Sequence, residues 1–101
     1  MISLKPAYMK QVQKLLKQYV PRTEVWAYGS RVSGNCHEAS DLDLVLRDPR
    51  ELSRHHKNLY ELKEAFAESN LPILVDILDW ARLPDNLHTE IEKSYVVIQK
   101  G

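Results

Sequence analysis

The stretch from Gly29 to Leu46 reads GSRVSGNCHEASDLDLVL: a Gly-Ser step, ten residues, then two aspartates separated by one leucine. It joins a turn able to hold a phosphate to a carboxylate pair able to hold a divalent metal. Immediately before it, Glu24–Tyr28 (EVWAY) is short, aromatic and β-branched and ends at Gly29, which predicts a strand. Asp41–Leu46 (DLDLVL) predicts a second strand. If the two strands pair antiparallel, the end of the first lies beside the start of the second, and Gly29, Ser30, Asp41 and Asp43 meet at one end of a sheet. Parallel pairing would put them at opposite ends, so a joint site requires the antiparallel arrangement.

Alternate residues of a strand share a face, about 6.6 to 6.8 Å apart. Asp41 and Asp43 therefore point one way while Leu42 and Leu44 point into the core. Two carboxylates so spaced can each reach one of two divalent ions lying ~3.5–4 Å apart. Mg²⁺ favours a few carboxylates, retained water and substrate phosphates, and a nucleoside triphosphate would complete that shell. The competing reading is the solvated face of an edge strand. Aspartate is disfavoured in strands, however, and a pair flanking a core leucine needs a cause. Asp76 interrupts the apolar run ILVDIL, where an uncompensated carboxylate is costly to bury. A third strand beside the second would bring it into the same cluster. Asp79 faces the other side of that strand near its end and is expected in solvent. At the turn, glycine permits close approach of backbone N–H groups to an anion, and the Ser30 hydroxyl can donate to it. Arg31 either reaches a phosphate or pairs with a surface acid.

Outward from this centre, Tyr8, Val12, Leu15, Leu16 and Tyr19 recur at helical spacing within Leu4–Tyr19, ahead of Pro21. Asp48-Pro49-Arg50-Glu51 reads as an N-cap with proline at the first helical position, opening a helix with Leu52, Leu59, Leu62 and Phe66 on one face. Pro72–Trp80 (PILVDILDW) predicts a third strand. A last helix from near Pro84 carries Leu87, Ile91, Tyr95 and Ile98 on one stripe. With RVSG as a short helix, the expected order is αβ(α)βαβα. That is an α/β (α+β) fold: a small mixed sheet of about three strands flanked by helices, in one domain over residues 1–101. Val96 and Val97 lie off the last stripe. They mark a partner-binding surface, or else fill a broad core face or a short terminal strand.

Apolar residues make up 44% and charged ones 28%, ordinary for a globular domain of 101 residues. Lysine plus arginine and aspartate plus glutamate number 14 each, so the formal net charge is zero. Without a basic surplus, direct nucleic-acid binding is not expected. No apolar run reaches the ~18 residues of a membrane span, and the N-terminus shows no signal-peptide core, so a cytoplasmic protein without membrane association is expected. Cys36 is the only cysteine and excludes an internal disulfide.

DLDLVL also matches the DxDx[TV]L opening of haloacid-dehalogenase-type phosphatases. There the apolar strand precedes the motif; here NCHEAS precedes it and the strand follows, so that reading fails. Instead G-S-x10-D-x-D with a later third aspartate resembles the signature of the DNA polymerase beta-type nucleotidyltransferases. WAYGSRVSG, SDLDLVL, LKEAF, LPILVDILDW and YVVIQ together resemble the minimal nucleotidyltransferase (MNT) family across almost the whole chain. The resemblance implies that Asp41, Asp43 and Asp76 are catalytic and bind Mg²⁺. It implies equally that Gly29 and Ser30 hold the triphosphate of ATP, with Arg31 as a further nucleotide contact.

MNT proteins are typically paired with a HEPN-domain protein in a hetero-oligomer, as antitoxin to a toxin ribonuclease. The resemblance therefore implies transfer of AMP from ATP to a tyrosine of that partner. No acceptor-gripping domain is recognisable in these residues, which agrees with an acceptor supplied by another polypeptide. The alternative is a non-catalytic nucleotide- or partner-binding module that inhibits by complex formation. Of the remaining residues, adjacent His55 and His56 lack metal-pair spacing and are expected in solvent. His37 is a loop residue that could contact nucleotide. Trp26 and Tyr28 are expected in the core rather than as a stacking platform.

Overall fold

The computed structural model describes residues 2–34 and 40–101, so Cys36 and His37 lie outside the described residues. The elements are α1 (Pro6–Tyr19), β1 (Glu24–Tyr28), α2 (Ser30–Ser33), β2 (Leu42–Arg47), α3 (Leu59–Ala67), β3 (Val75–Asp79), α4 (Asp85–Lys93) and β4 (Val96–Gln99). A 3₁₀ turn at Trp80–Arg82 links β3 to α4. The four strands form one mixed sheet in the order β3-β2-β1-β4. β1 pairs antiparallel with β2 and with β4, whereas β2 and β3 run parallel. Among the described residues no helix is long and apolar enough to cross a membrane.

Strand alternation sorts the side chains into two layers. On one face Val25, Ala27, Leu42, Leu44, Leu46 and Ile77 pack with Val12 and Leu16 of α1 and Leu62 and Phe66 of α3. On the other, Trp26 and Val45 pack with Trp80 and with Ile91 of α4. There the Arg47 guanidinium lies 3.9 Å from the Trp26 ring centre and 4.5 Å from that of Trp80, and it pairs with Glu24, its cross-strand neighbour. Trp26 is core, as expected.

The structure departs from the sequence reading in three places. The fourth strand takes Val96 and Val97, for which a short terminal strand is one expectation, together with Ile98, which the helical stripe places on the last helix. Ser94 is extended, Val96–Ile98 is β-branched, and β1 otherwise has an open edge. Tyr95 stacks on Trp26 with ring centres 3.8 Å apart, and Gln99 Nε2 donates to the carbonyls of Val20 and Thr23, which clasps the strand. Val97 remains 41% exposed.

The helix expected after Asp48 starts only at Leu59. Asp48 does accept from the Arg50 N–H, but Leu52 is exposed and has no face to bury. The third departure is Asp79, which is buried rather than solvated. It accepts from the backbone N–H and Nδ1 of His56 at 2.9 and 3.0 Å and from Ala81 N–H, so His56 is drawn inward as well. This holds the end of residues 48–58 to the end of β3 and competes with helix formation.

Ile77, fully buried at the centre of β3, tests the packing. Ile77→Ala is expected to cost about 2–5 kcal/mol in denaturant unfolding. A loss under about 1 kcal/mol would contradict a close-packed layer there.

Candidate active site

The register of the central strands builds the site. Tyr28 of β1 is the cross-strand partner of Asp43 in β2, and Asp43 is the partner of Asp76 in β3. Three polar side chains thus stand in one row on one face of the sheet, at the end of β1. Asp41 lies just before β2, two residues from Asp43 and on the same side of the chain. Leu42 and Leu44 are fully buried on the opposite face and anchor the acidic segment. The antiparallel β1–β2 pairing that a joint site demands is present.

Gly29 closes the row. Its φ of 80° and ψ of −157° fall in a region open essentially only to glycine. A Cβ there would lie under 3.0 Å from Asp43 Oδ2, so the backbone passes directly against that carboxylate. The Gly29 carbonyl then starts α2 by accepting from Val32 and Ser33. Among the described residues no partner holds the Ser30 hydroxyl, which stays available beside the turn.

Arg31 is 7% exposed and directs its guanidinium at backbone. Nε and Nη2 donate to the Ser40 carbonyl at 3.1 and 3.0 Å, and Nη1 donates to the Ser3 carbonyl at 2.8 Å. It therefore fixes the residue immediately before Asp41, a positioning role the sequence reading did not consider. Tyr28 packs against the second apolar layer, in line with its core assignment, and it also stands beside the acids, which the sequence reading did not consider. It is half-buried in the acidic row, and the signal for it was its place one residue before Gly29 on the face of Trp26.

The row is electrostatically strained. Burial, then the neighbouring charges of Asp76 and Asp41, push the Asp43 carboxyl above its ordinary value. Burial, then Asp43 and Asp76, push the Tyr28 phenol up, keeping it a neutral O–H. Asp41 and Asp76 are exposed. Among the described residues no group of three or more His, Cys, Asp or Glu side chains is placed to hold a metal ion on its own. By its chemistry the donor set suits a hard divalent cation, because it offers carboxylate oxygens alone and their mutual repulsion is what a cation relieves. An open shell suits Mg²⁺, which takes few protein ligands and keeps positions for water and phosphate.

Comparisons with known proteins bear on the family and the fold. Residues 1–91 match the family described as poly(A) RNA polymerase, mitochondrial-like, central palm domain. A Haemophilus influenzae protein named probable protein adenylyltransferase MntA is 42% identical over 99 residues, covering 98% of this chain and 85% of that one. A toxin-antitoxin crystal structure with AMP-PNP contains a chain of similar fold, at TM-score 0.73 and 22% identity over 92% of this chain and 73% of that chain. The MntA-HepT toxin-antitoxin structure aligns at TM-score 0.68 and 18% identity, over 96% of this chain and 74% of that one. At such identities the two structures speak for the fold alone.

Two substitutions probe the strain. A raised carboxyl pKa means that the native state disfavours the Asp43 charge. That cost is present above the folded pKa, is relieved as pH falls through it, and is gone below the unfolded value near 3.9. Without divalent cations, Asp43→Asn is expected to melt above the native protein at neutral pH, the gap closing toward acid. A lower melting point at neutral pH would contradict this. Gly29→Ala is expected to destabilise by about 1–3 kcal/mol in denaturant unfolding, from backbone conformation and the Asp43 contact together.

Proposed function

The chain belongs to the minimal nucleotidyltransferases of the polymerase beta-type superfamily, and we propose that it transfers AMP from ATP to a tyrosine of a HEPN-type toxin ribonuclease, acting as its antitoxin. The observation that carries the reading is the Tyr28–Asp43–Asp76 row with the Gly29 backbone pressed against Asp43. The adenylyltransferase name of the Haemophilus relative and the toxin-antitoxin assemblies of similar fold support the choice of donor and partner.

In this reaction the acceptor oxygen attacks the α-phosphorus in line. An O–P bond forms, the bond to the β-phosphate oxygen breaks, and pyrophosphate leaves. Mg²⁺ held by Asp41, Asp43 and Asp76 would supply charge neutralisation for the attacking and leaving oxygens. The chain's own part is placement. The Gly29 turn lets the phosphates approach the backbone closely, and the Ser30 hydroxyl donates to a phosphate oxygen. Arg31 holds the Ser40 carbonyl and with it the approach of Asp41 to the row. The neutral Tyr28 phenol bounds the site on the β1 side and adds no charge to repel a triphosphate. Asp76, exposed on the outer strand of the row, can take the acceptor hydroxyl's proton on a carboxylate oxygen as attack proceeds.

The test mixes this chain with the product of its neighbouring gene, labelled ATP and Mg²⁺. Label is expected on that partner, reduced at least about 100-fold by Asp41→Asn with Asp43→Asn. Label retained by the double variant would refute the assignment. Full neutralisation of the partner without label would instead support inhibition by binding alone.

A further inference from the structure

The formal net charge of zero conceals a segregation of charge along the sheet. The acidic row sits where β1 ends. At the opposite end, about 13 Å away along β2 by strand rise, two cavities of about 580 and 520 Å³ adjoin and share His55, His56 and Lys57. Arg22, Arg50 and Arg54 line the first beyond that shared wall, and Lys63 and Arg82 line the second. Against these five cations and Lys57 stand Asp48 and Glu51 in the first cavity, and Asp79 beneath the second pairs with Arg82 at 3.9 Å; among the described residues no carboxylate lines the second cavity itself. Asp48 is already engaged by Arg54 and by the Arg50 N–H. Among the described residues Arg22, Arg50, Lys57 and Lys63 have no ion-pair partner.

Two further features shape this end. Tyr60, 70% exposed, lines the second cavity, so its ring stands open to solvent among cations. Beneath them Asp79, 2% exposed, bonds both the backbone N–H and the ring of His56, which lines both cavities.

We propose that this basic end binds single-stranded RNA, its phosphates tracking the cations across both cavities and a base stacking on Tyr60. Cations along a groove with an exposed aromatic are the elements that hold single strands without reading sequence. The length of the surface favours a strand over a free nucleotide, which would fill one cavity and leave the other's cations unused. This proposal is independent of the transfer reaction, because none of its residues belongs to the acidic row.

The experiment follows fluorescence anisotropy of 5′-labelled oligo-A and oligo-U of about 12 nucleotides with the full chain, from about 50 to about 200 mM salt. Both oligonucleotides are expected to bind. Affinity should fall with a log–log salt slope of about −2 to −3, for three to four neutralised phosphates. Lys57→Glu with Lys63→Glu is expected to lower affinity at least about tenfold, Tyr60→Ala about five- to tenfold, and Asp43→Asn not at all. Lys57, Tyr60 and Lys63 are exposed, and unchanged melting points confirm that the variants fold. No salt-dependent binding, undiminished binding by the charge-reversed variant, or polyglutamate or ATP competing as well per charge as RNA would each overturn the proposal.

Discussion

The pairing of β2 with both of its neighbours is the constraint on which the site depends. Antiparallel pairing to β1 sets Tyr28 opposite Asp43, and parallel pairing to β3 sets Asp76 on its other side. A slip of one residue in either ladder would turn the row over and bury carboxylates among Leu42, Leu44 and Ile77. Burying unpaired charge would cost far more than any single core contact returns, so the leucines that alternate with the acids enforce the register. Function and folding use the same alternation here, one face for each.

The arrangement concentrates unfavourable terms at one end of the sheet. Asp43 is held above its ordinary pKa by burial and by two neighbouring acids, and Gly29 occupies a backbone region closed to other residues. Elsewhere the fold is conventionally supported, with two apolar layers, Arg47 sandwiched against Trp26 and Trp80, and Gln99 clasping β4. Strain confined to a few residues over a well-packed scaffold is the pattern expected where geometry serves chemistry.

Much of this was legible in the sequence because it rests on local pattern. The β-branched run before Gly29, the alternation in DLDLVL and the helical spacing of Val12 and Leu16 each specify their element with little outside help. The errors arose where tertiary partners decide. Tyr95–Ile98 satisfies a helical stripe and a strand equally well, and the open edge of β1 selects the strand. Asp48-Pro49 announces a helix, yet the Asp79 carboxylate captures His56 and the helix waits until Leu59. Tyr28 does pack against the second layer, but its second role beside Asp43 depends on strand pairing, which face assignment within one strand does not reveal. Charge totals say nothing of distribution: they sum over two ends of the sheet whose linings differ in sign.

The central proposal is that Asp43 and Asp76, set side by side by register, and Asp41, held through Ser40 by Arg31, form a cation site beside Gly29. Paramagnetic line broadening by substoichiometric Mn²⁺, read residue by residue in an amide NMR spectrum, tests it most directly. The account predicts that the amides of Gly29, Asp43 and Asp76 broaden first while those of Arg47, Asp79 and Arg82, at the far ends of the same strands and the turn beyond, persist. Broadening that is strongest at that far end, or spread evenly over the surface acids, would contradict it.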